Sequence, residues 1–136
     1  MIEVVAAIIE LEGKLLAFQR GPSKYSYISH KFEFPGGKIE PGENQRLALA
    51  RELKEELNLA NVEIDDFVMS VEHSYPDFEI KMHCFLVSLQ MFDNTLTEHI
   101  NYAHVTLGDA DFLDWIEADR PILEILRRDY SHLFTE

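Results

Sequence analysis

Residues 36–59 read GGKIEPGENQRLALARELKEELNL, and the fold turns on how this stretch is read. Two glycines, Gly36 and Gly37, lead to a turn at Pro41-Gly42, because these residue types break regular structure. After the turn, Leu49, Ala50, Leu53 and Leu57 recur at the spacing of one helix face. The spacing predicts a helix from Asn44 to Leu57, with Asn58 as its left-handed stop, a role Asn fills in place of Gly. At about 100° per residue, Glu52, Glu55 and Glu56 share one arc beside the apolar stripe, at the edge of the core. Like charges three and four residues apart destabilise a helix. Either the face is a solvated acidic surface or a divalent cation sits between the carboxylates. Hard oxygen ligands select Mg²⁺ or Mn²⁺, and glycines let a backbone carbonyl approach and join them.

Outward from this stretch, EVVAAII from Glu3 to Ile9 is β-branched and apolar, the pattern of a buried strand. Glu12-Gly13 marks a hairpin turn and KLLAFQR, Lys14 to Arg20, is the return strand. GPSKYSYISHK is a polar loop, and KFEFPGG a short strand closed by Pro35 and the glycines. Phe67 to Tyr75 and Phe78 to Gln90 read as two further strands joined at Tyr75-Pro76-Asp77. The segment LTEHINYAH reads as loop, Asp111 to Glu117 as a short helix, and Arg120 to Leu133 as a longer one with Pro121 in its first turn. The order β-β-β-α-β-β-α predicts an α/β protein, an α/β/α sandwich with a mixed sheet between helices.

The chain has 136 residues, the size of one domain, so residues 1–136 are expected to form a single unit. It is 46% hydrophobic and 27% charged, with a formal net charge of −13. Such a surface repels nucleic-acid backbones and anionic lipid, which argues against a nucleic acid polymer as partner. A small anionic ligand needs a bridging cation. The lone Cys84 excludes an internal disulfide and a multi-cysteine zinc site. MIEVVAAIIELEG carries acidic residues and no basic start, and no apolar run reaches membrane-spanning length, so the expected location is the cytoplasm, with no membrane partner.

The pattern of Gly37, five residues, Glu43, seven residues, then Arg51-Glu52-Leu53-x-Glu55-Glu56-x-Asn58-Leu59 resembles the signature of the Nudix hydrolases. The one departure is Asn58 where the family carries glycine, and Asn tolerates the left-handed conformation needed there. The strand order is similar as well, so the resemblance covers nearly the whole chain. It implies cleavage of a nucleoside diphosphate linked to another group, with Mg²⁺ or Mn²⁺ as cofactor. It implies Glu52, Glu55 and Glu56 as metal ligands with the Gly37 carbonyl beside them, and Arg51 pairing with Glu43 to hold the loop on the helix. The flanks KFEFPGGKIEPGE, IEVVAAIIELEGKLLAFQR and ADRPILEIL resemble the MutT-like nucleoside triphosphate pyrophosphohydrolases, those acting on CTP among them. The implied reaction releases a nucleoside monophosphate and pyrophosphate, with CTP, dCTP or modified pyrimidine nucleotides first and 8-oxo-dGTP second.

Several further residues gain candidate roles from the same resemblance. Glu98 is a further candidate for the metal or the attacking water, and Glu52, Glu55 and Glu98 form the candidate catalytic set. Arg20 is either a phosphate ligand or a solvated strand-end charge, and Lys38 resembles a lysine that reaches phosphate. Asp119 is either a base reader or the cap of the last helix. Phe34 and Tyr75 either stack on a base or belong to the core. The six histidines show no metal-ligand spacing and read as structural or surface. The partner is a small nucleotide, and the assembly a monomer or homodimer. The rival of another class is a non-catalytic nucleotide sensor, but such domains lose the Arg-Glu-x-x-Glu-Glu core that this chain keeps.

Overall fold

The computed structural model describes residues 1–135. The β-branched opening run forms β1, Ile2–Leu11, and the Glu12-Gly13 turn returns the chain as β2, Lys14–Arg20. Both turn residues have positive φ, 54° and 79°, as a tight hairpin requires. The short strands β3, Phe32–Glu33, and β4, Gly36–Lys38, flank Phe34-Pro35. The helix α1, Gln45–Leu57, follows, then β5, Phe67–Ser74, and β6, Glu79–Leu89. The strand β7, His99–Val105, precedes a single helical turn, α2, Leu107–Ala110, and the last helix, α3, Arg120–Asp129.

The strands make one seven-stranded sheet ordered β3-β2-β1-β6-β5, with β4 added to β1 and β7 to β2. β1 and β6 run parallel while the remaining ladders are antiparallel, so the sheet is mixed. Alternate residues of the strands feed two cores. On one face Val5, Ala7, Ile9, Leu16 and Phe18 pack against Ala48, Leu49, Leu53 and Leu57 of α1. On the other, Ala6, Ile8, Leu15 and Ala17 pack against Leu107 and Ala110 of α2, Trp115, and Ile122, Leu123 and Leu126 of α3. The architecture is the α/β/α sandwich with a mixed sheet between helices.

Three local expectations are corrected. The loop expected across LTEHINYAH contains β7, which pairs antiparallel with β2 from Leu15↔Val105 to Arg20↔His99. The helix expected over Asp111 to Glu117 lies earlier: Thr106 caps α2 by accepting from the Asp109 N–H, and only a 3₁₀ turn, Glu117–Asp119, occupies the end of the expected span. The last helix stops at Asp129, and a 3₁₀ turn covers Ser131–Leu133.

Candidate active site

Helix α1 is fixed at both ends. Asn44 caps its start, the side chain accepting from the Leu47 N–H at 2.8 Å. Asn58 ends it in the left-handed region (φ 56°), its N–H reaching the carbonyls of Leu53 and Lys54. The apolar stripe seats α1 on the sheet, and that seating sorts the three glutamates. Glu56 is buried, 4% exposed. Glu52 is half-buried, and Glu55 faces solvent.

Arg51 organises the turn in front of this face. Its Nε and Nη2 donate to the two oxygens of Glu43 at 2.7 and 2.9 Å, and Nη2 also donates to the Lys38 carbonyl at 3.0 Å. Nη1 donates to Glu52 at 2.9 Å and to Glu55 at 3.3 Å. One planar guanidinium thus ties the Pro41-Gly42 turn, β4 and α1 together, a task suited to its forked donors. Arg51 holds Glu43 below the usual carboxylate range, and Glu43 raises Arg51 in return. β4 pairs with β1 at Val5↔Gly37, which lays the Gly37 backbone against Glu52. A methyl group on Gly37 would fall 2.5–2.7 Å from the Glu52 carboxyl atoms.

Glu98 reaches the same place from the far end of the helix. The Thr97 hydroxyl donates to the carbonyls of Glu55 and Glu56 at 2.7 and 3.1 Å, and the Thr97 N–H donates to the Glu56 carbonyl at 3.0 Å. These bonds satisfy last-turn carbonyls of α1 and deliver Glu98 beside Glu56. Glu52, Glu56 and Glu98 line one cavity with Gly36, Gly37, Lys38, Arg20, Glu33, Glu40 and His99. Glu55 does not line it: its side chain faces solvent and accepts from Arg51.

Burial first, then the neighbouring charges of Glu33, Glu98 and Glu52, push Glu56 up to about 9. Burial likewise raises Glu52, against the opposing pull of Arg51. Glu56 Oε2 is buried with no hydrogen-bond partner among the described residues. A buried carboxylate oxygen facing other carboxylates is the setting a cation relieves. Among the described residues no group of three or more His, Cys, Asp or Glu side chains is by itself arranged to hold a metal ion, so any cation here would draw on backbone, water or substrate oxygens as well. An open set of this kind suits Mg²⁺, which keeps several waters and shares its shell between one or two carboxylates and substrate phosphates. The donor set therefore fits a hard divalent cation.

A second groove adjoins the acidic cavity, with Arg20 and Lys38 lining both. Its walls are Ile2, Val4, Tyr25, Ile28, Tyr75, Phe78, Ile80 and Ile116. Tyr27 stacks on Tyr75 at 5.2 Å between ring centroids, and Phe78 packs on Tyr75 at 5.3 Å with the rings tilted by 45°. Tyr75 accepts a hydrogen bond from the Ala118 N–H at 3.0 Å, and burial raises its hydroxyl to about 12. Asp119, next to Ala118, is 1% exposed. The cap expectation for Asp119 is corrected: its side chain makes no capping bond to α3 and instead accepts from the Phe34 N–H at 2.8 Å. The reason is burial, which turns the carboxyl inward and raises it well above the usual range, with the charge of Glu33 adding to the effect. The Phe34 ring lies in the core against Trp115, 4.8 Å between centroids, so this residue meets Asp119 through its main chain.

Among the cavity residues that the sequence does not single out, Glu33 and His99 are paired with each other. Glu33 accepts from Arg20 Nη1 at 3.2 and 3.3 Å, and His99 Nε2 lies 2.9 Å from Glu33 Oε2. The alternation of Phe32, Glu33 and Phe34 along a strand would have separated Glu33 from its apolar neighbours. His99 carries no such signal, because HINYAHV shows no clean alternation of polar and apolar residues.

The NUDIX domain family profile matches residues 1–126. This chain belongs to that family. As a member of the Nudix hydrolases it is an enzyme, of a kind that generally works with a divalent metal. Over 126 residues, 91% of this chain and 90% of the relative, it is 41% identical to the CTP pyrophosphohydrolase of Escherichia coli K12. Over 127 residues, 93% and 97% of the two chains, it is 33% identical to the 8-oxo-dGTP diphosphatase of the same organism. The crystal structure of the MutT protein from Methanosarcina mazei Go1 superposes with a TM-score of 0.84 at 26% identity, covering 95% of this chain and 94% of that one. No helix of this Nudix chain is long and apolar enough to cross a membrane, among the described residues.

Proposed function

We propose that this Nudix hydrolase is an Mg²⁺- or Mn²⁺-dependent nucleoside triphosphate pyrophosphohydrolase that acts on CTP, dCTP or modified pyrimidine nucleotides and releases the nucleoside monophosphate and pyrophosphate. The observation that carries this reading is the pairing of an acidic cavity with an aromatic groove through two shared cations, Arg20 and Lys38. A nucleoside triphosphate has the matching layout: a planar base at one end, a polyanion at the other.

Glu52, Glu56 and Glu98 would hold the cation with the Gly37 carbonyl, and the solvent-facing Glu55 is a further ligand. When bound, the cation neutralises phosphate charge and lowers the pKa of a water at phosphorus. Arg20 and Lys38 bind the phosphate chain where the two cavities meet. Glu52 and Glu98 are the candidate proton acceptors. Tyr75 lines the groove that would take the base, and the buried Asp119, bonded to the Phe34 N–H, is the candidate acceptor for an exocyclic amine. The whole chain, 1–136, acts as one unit in the cytoplasm, as a monomer or homodimer. The 33% identity to an 8-oxo-dGTP diphosphatase favours oxidised purine triphosphates as the second reading.

The test is initial-rate hydrolysis of CTP, dCTP, 5-methyl-dCTP, dGTP, 8-oxo-dGTP and ADP-ribose with Mg²⁺, measuring pyrophosphate and phosphate separately. Pyrophosphate release with preference for a cytosine nucleotide is expected. Preference for 8-oxo-dGTP selects the second reading, and turnover of none of them overturns both.

A further inference from the structure

Behind Arg20 the cavity holds two residues that the metal and phosphate assignments leave unused, His99 and Glu33. The three form one cluster. They come from three strands. Phe18 of β2 pairs with Glu33 of β3, and on the other side of β2 Arg20 pairs with His99 of β7. The β2–β7 ladder shifts register between Gln19 and Arg20, where Asn101 and His99 are their respective partners. This bulge brings His99 level with Arg20, and bulges re-aim side chains in this way. Both residues then converge on one carboxylate. Arg20 Nη1 holds Glu33 Oε1 and Oε2, and His99 Nε2 holds Oε2.

The three differ in freedom. The His99 side chain is 3% exposed, packed 5.5 Å from the Phe18 ring, and that of Glu33 is 14% exposed. The Arg20 side chain is 42% exposed at the cavity mouth. A carboxylate only accepts, so the hydrogen between His99 and Glu33 is carried by Nε2. His99 Nδ1 is buried with no partner among the described residues. The imidazole is therefore held by a single polar contact, the one to Glu33. Glu33 also borders Glu56 and the other cavity carboxylates, which repel it. Without His99, the only donor left to Glu33 is the half-exposed Arg20 itself, so the pair would lose its buried anchor.

We infer that His99 is a positioning residue: it fixes Glu33, and Glu33 aims the Arg20 guanidinium at the substrate's phosphate chain. With Nη1 engaged by Glu33 and the side chain 42% exposed where the two cavities share it, the other donors of the Arg20 fork remain for phosphate oxygens, a preorganised contact and not a mobile side chain. This rests on the proposed use of Arg20 as a phosphate ligand and names the residue behind it.

The experiment is a double-mutant cycle between His99 and Arg20, read first as binding of inorganic tripolyphosphate with Mg²⁺ and second as turnover. His99→Leu should weaken tripolyphosphate binding about tenfold, the loss associated with one charge-assisted hydrogen bond. Arg20→Ala should weaken it further, and His99→Leu should add nothing in the Arg20→Ala background. His99→Gln, whose amide N–H can take the place of Nε2–H, should recover most of the binding. In turnover the His99→Leu loss should appear in KM more than in kcat. Multiplicative losses in the cycle, failure of Gln to rescue, or a wild type that does not bind tripolyphosphate would each overturn the inference. Circular dichroism melts of each variant separate misfolding from loss of aim, and a misfolded His99→Leu leaves the cycle to be run with His99→Asn, which lacks the reach to Glu33. A wild type that binds tripolyphosphate but hydrolyses no nucleotide would defeat the proposed function alone.

Discussion

At the scale of single residues, Glu56 shows the conflict between folding and function most directly. In the unfolded chain it loses its proton near 4.5, and in the folded protein near 9. A group raised in this way contributes stability that is complete below the lower value and is lost as pH rises through the higher one. Metal-free protein should therefore become less stable from pH ~5 to ~9 as Glu56 is asked to ionise in place. Glu56→Gln cannot ionise, so thermal melts in EDTA should show a flatter pH dependence and a higher Tm than the parent at the alkaline end. The same variant should lose metal-dependent turnover. A parent whose metal-free melts show no decline across this range would contradict the burial argument. Asp119 carries the same sign of shift, from burial and Glu33, and adds to the decline.

At the scale of elements, the two glycines of β4 have separate tasks. A Cβ on Gly36 would lie 1.8 Å from the Val5 carbonyl oxygen, which is backbone and cannot step aside. Gly36→Ala should break the β4–β1 ladder and cost on the order of 3 kcal/mol in urea unfolding. The nearest atoms to a Cβ on Gly37 are those of the Glu52 carboxyl, the end of a side chain that can move. Gly37→Ala should keep the fold to within about 1 kcal/mol yet lower kcat at least about tenfold, because a shift of about 1 Å at a reacting group costs that much or more. Equal stability losses in the two variants would contradict this division. Helix α1 is legible in the sequence because its apolar residues recur at helical spacing, and β1 because it is a continuous β-branched, apolar run. β7 is not, because HINYAHV interleaves polar residues with an exposed Ile100 and shows no clean alternation. The start of α2 is hidden because a local cap at Thr106 sets it, while Phe112, apolar and inside the expected helix, is 86% exposed and contributes nothing to the core. The motif placed the glutamates on one helix, but which of them faces the cavity depends on how α1 seats against the sheet. Glu33 and His99 belong to the site only through strand pairings far apart in sequence.

At the scale of the whole molecule, the formal net charge of −13 shapes how any anion is admitted. A long-range field of this sign repels a nucleoside triphosphate and gathers divalent cations. Mg²⁺ or Mn²⁺ is thus both a ligand for the carboxylates and the means by which a polyanion enters an acidic cavity. The sandwich fold supports this by setting the end of α1, β4 and the segment before β7 side by side, so that three distant parts of the chain line one space. The most direct test is an electron paramagnetic resonance titration of Mn²⁺ into wild type and Glu56→Gln at equal ionic strength. The account predicts saturable uptake by the wild type, and in the variant only the weak, salt-sensitive binding expected of an acidic surface. Identical titrations for the two proteins would contradict the assignment of the buried carboxylates as the metal site.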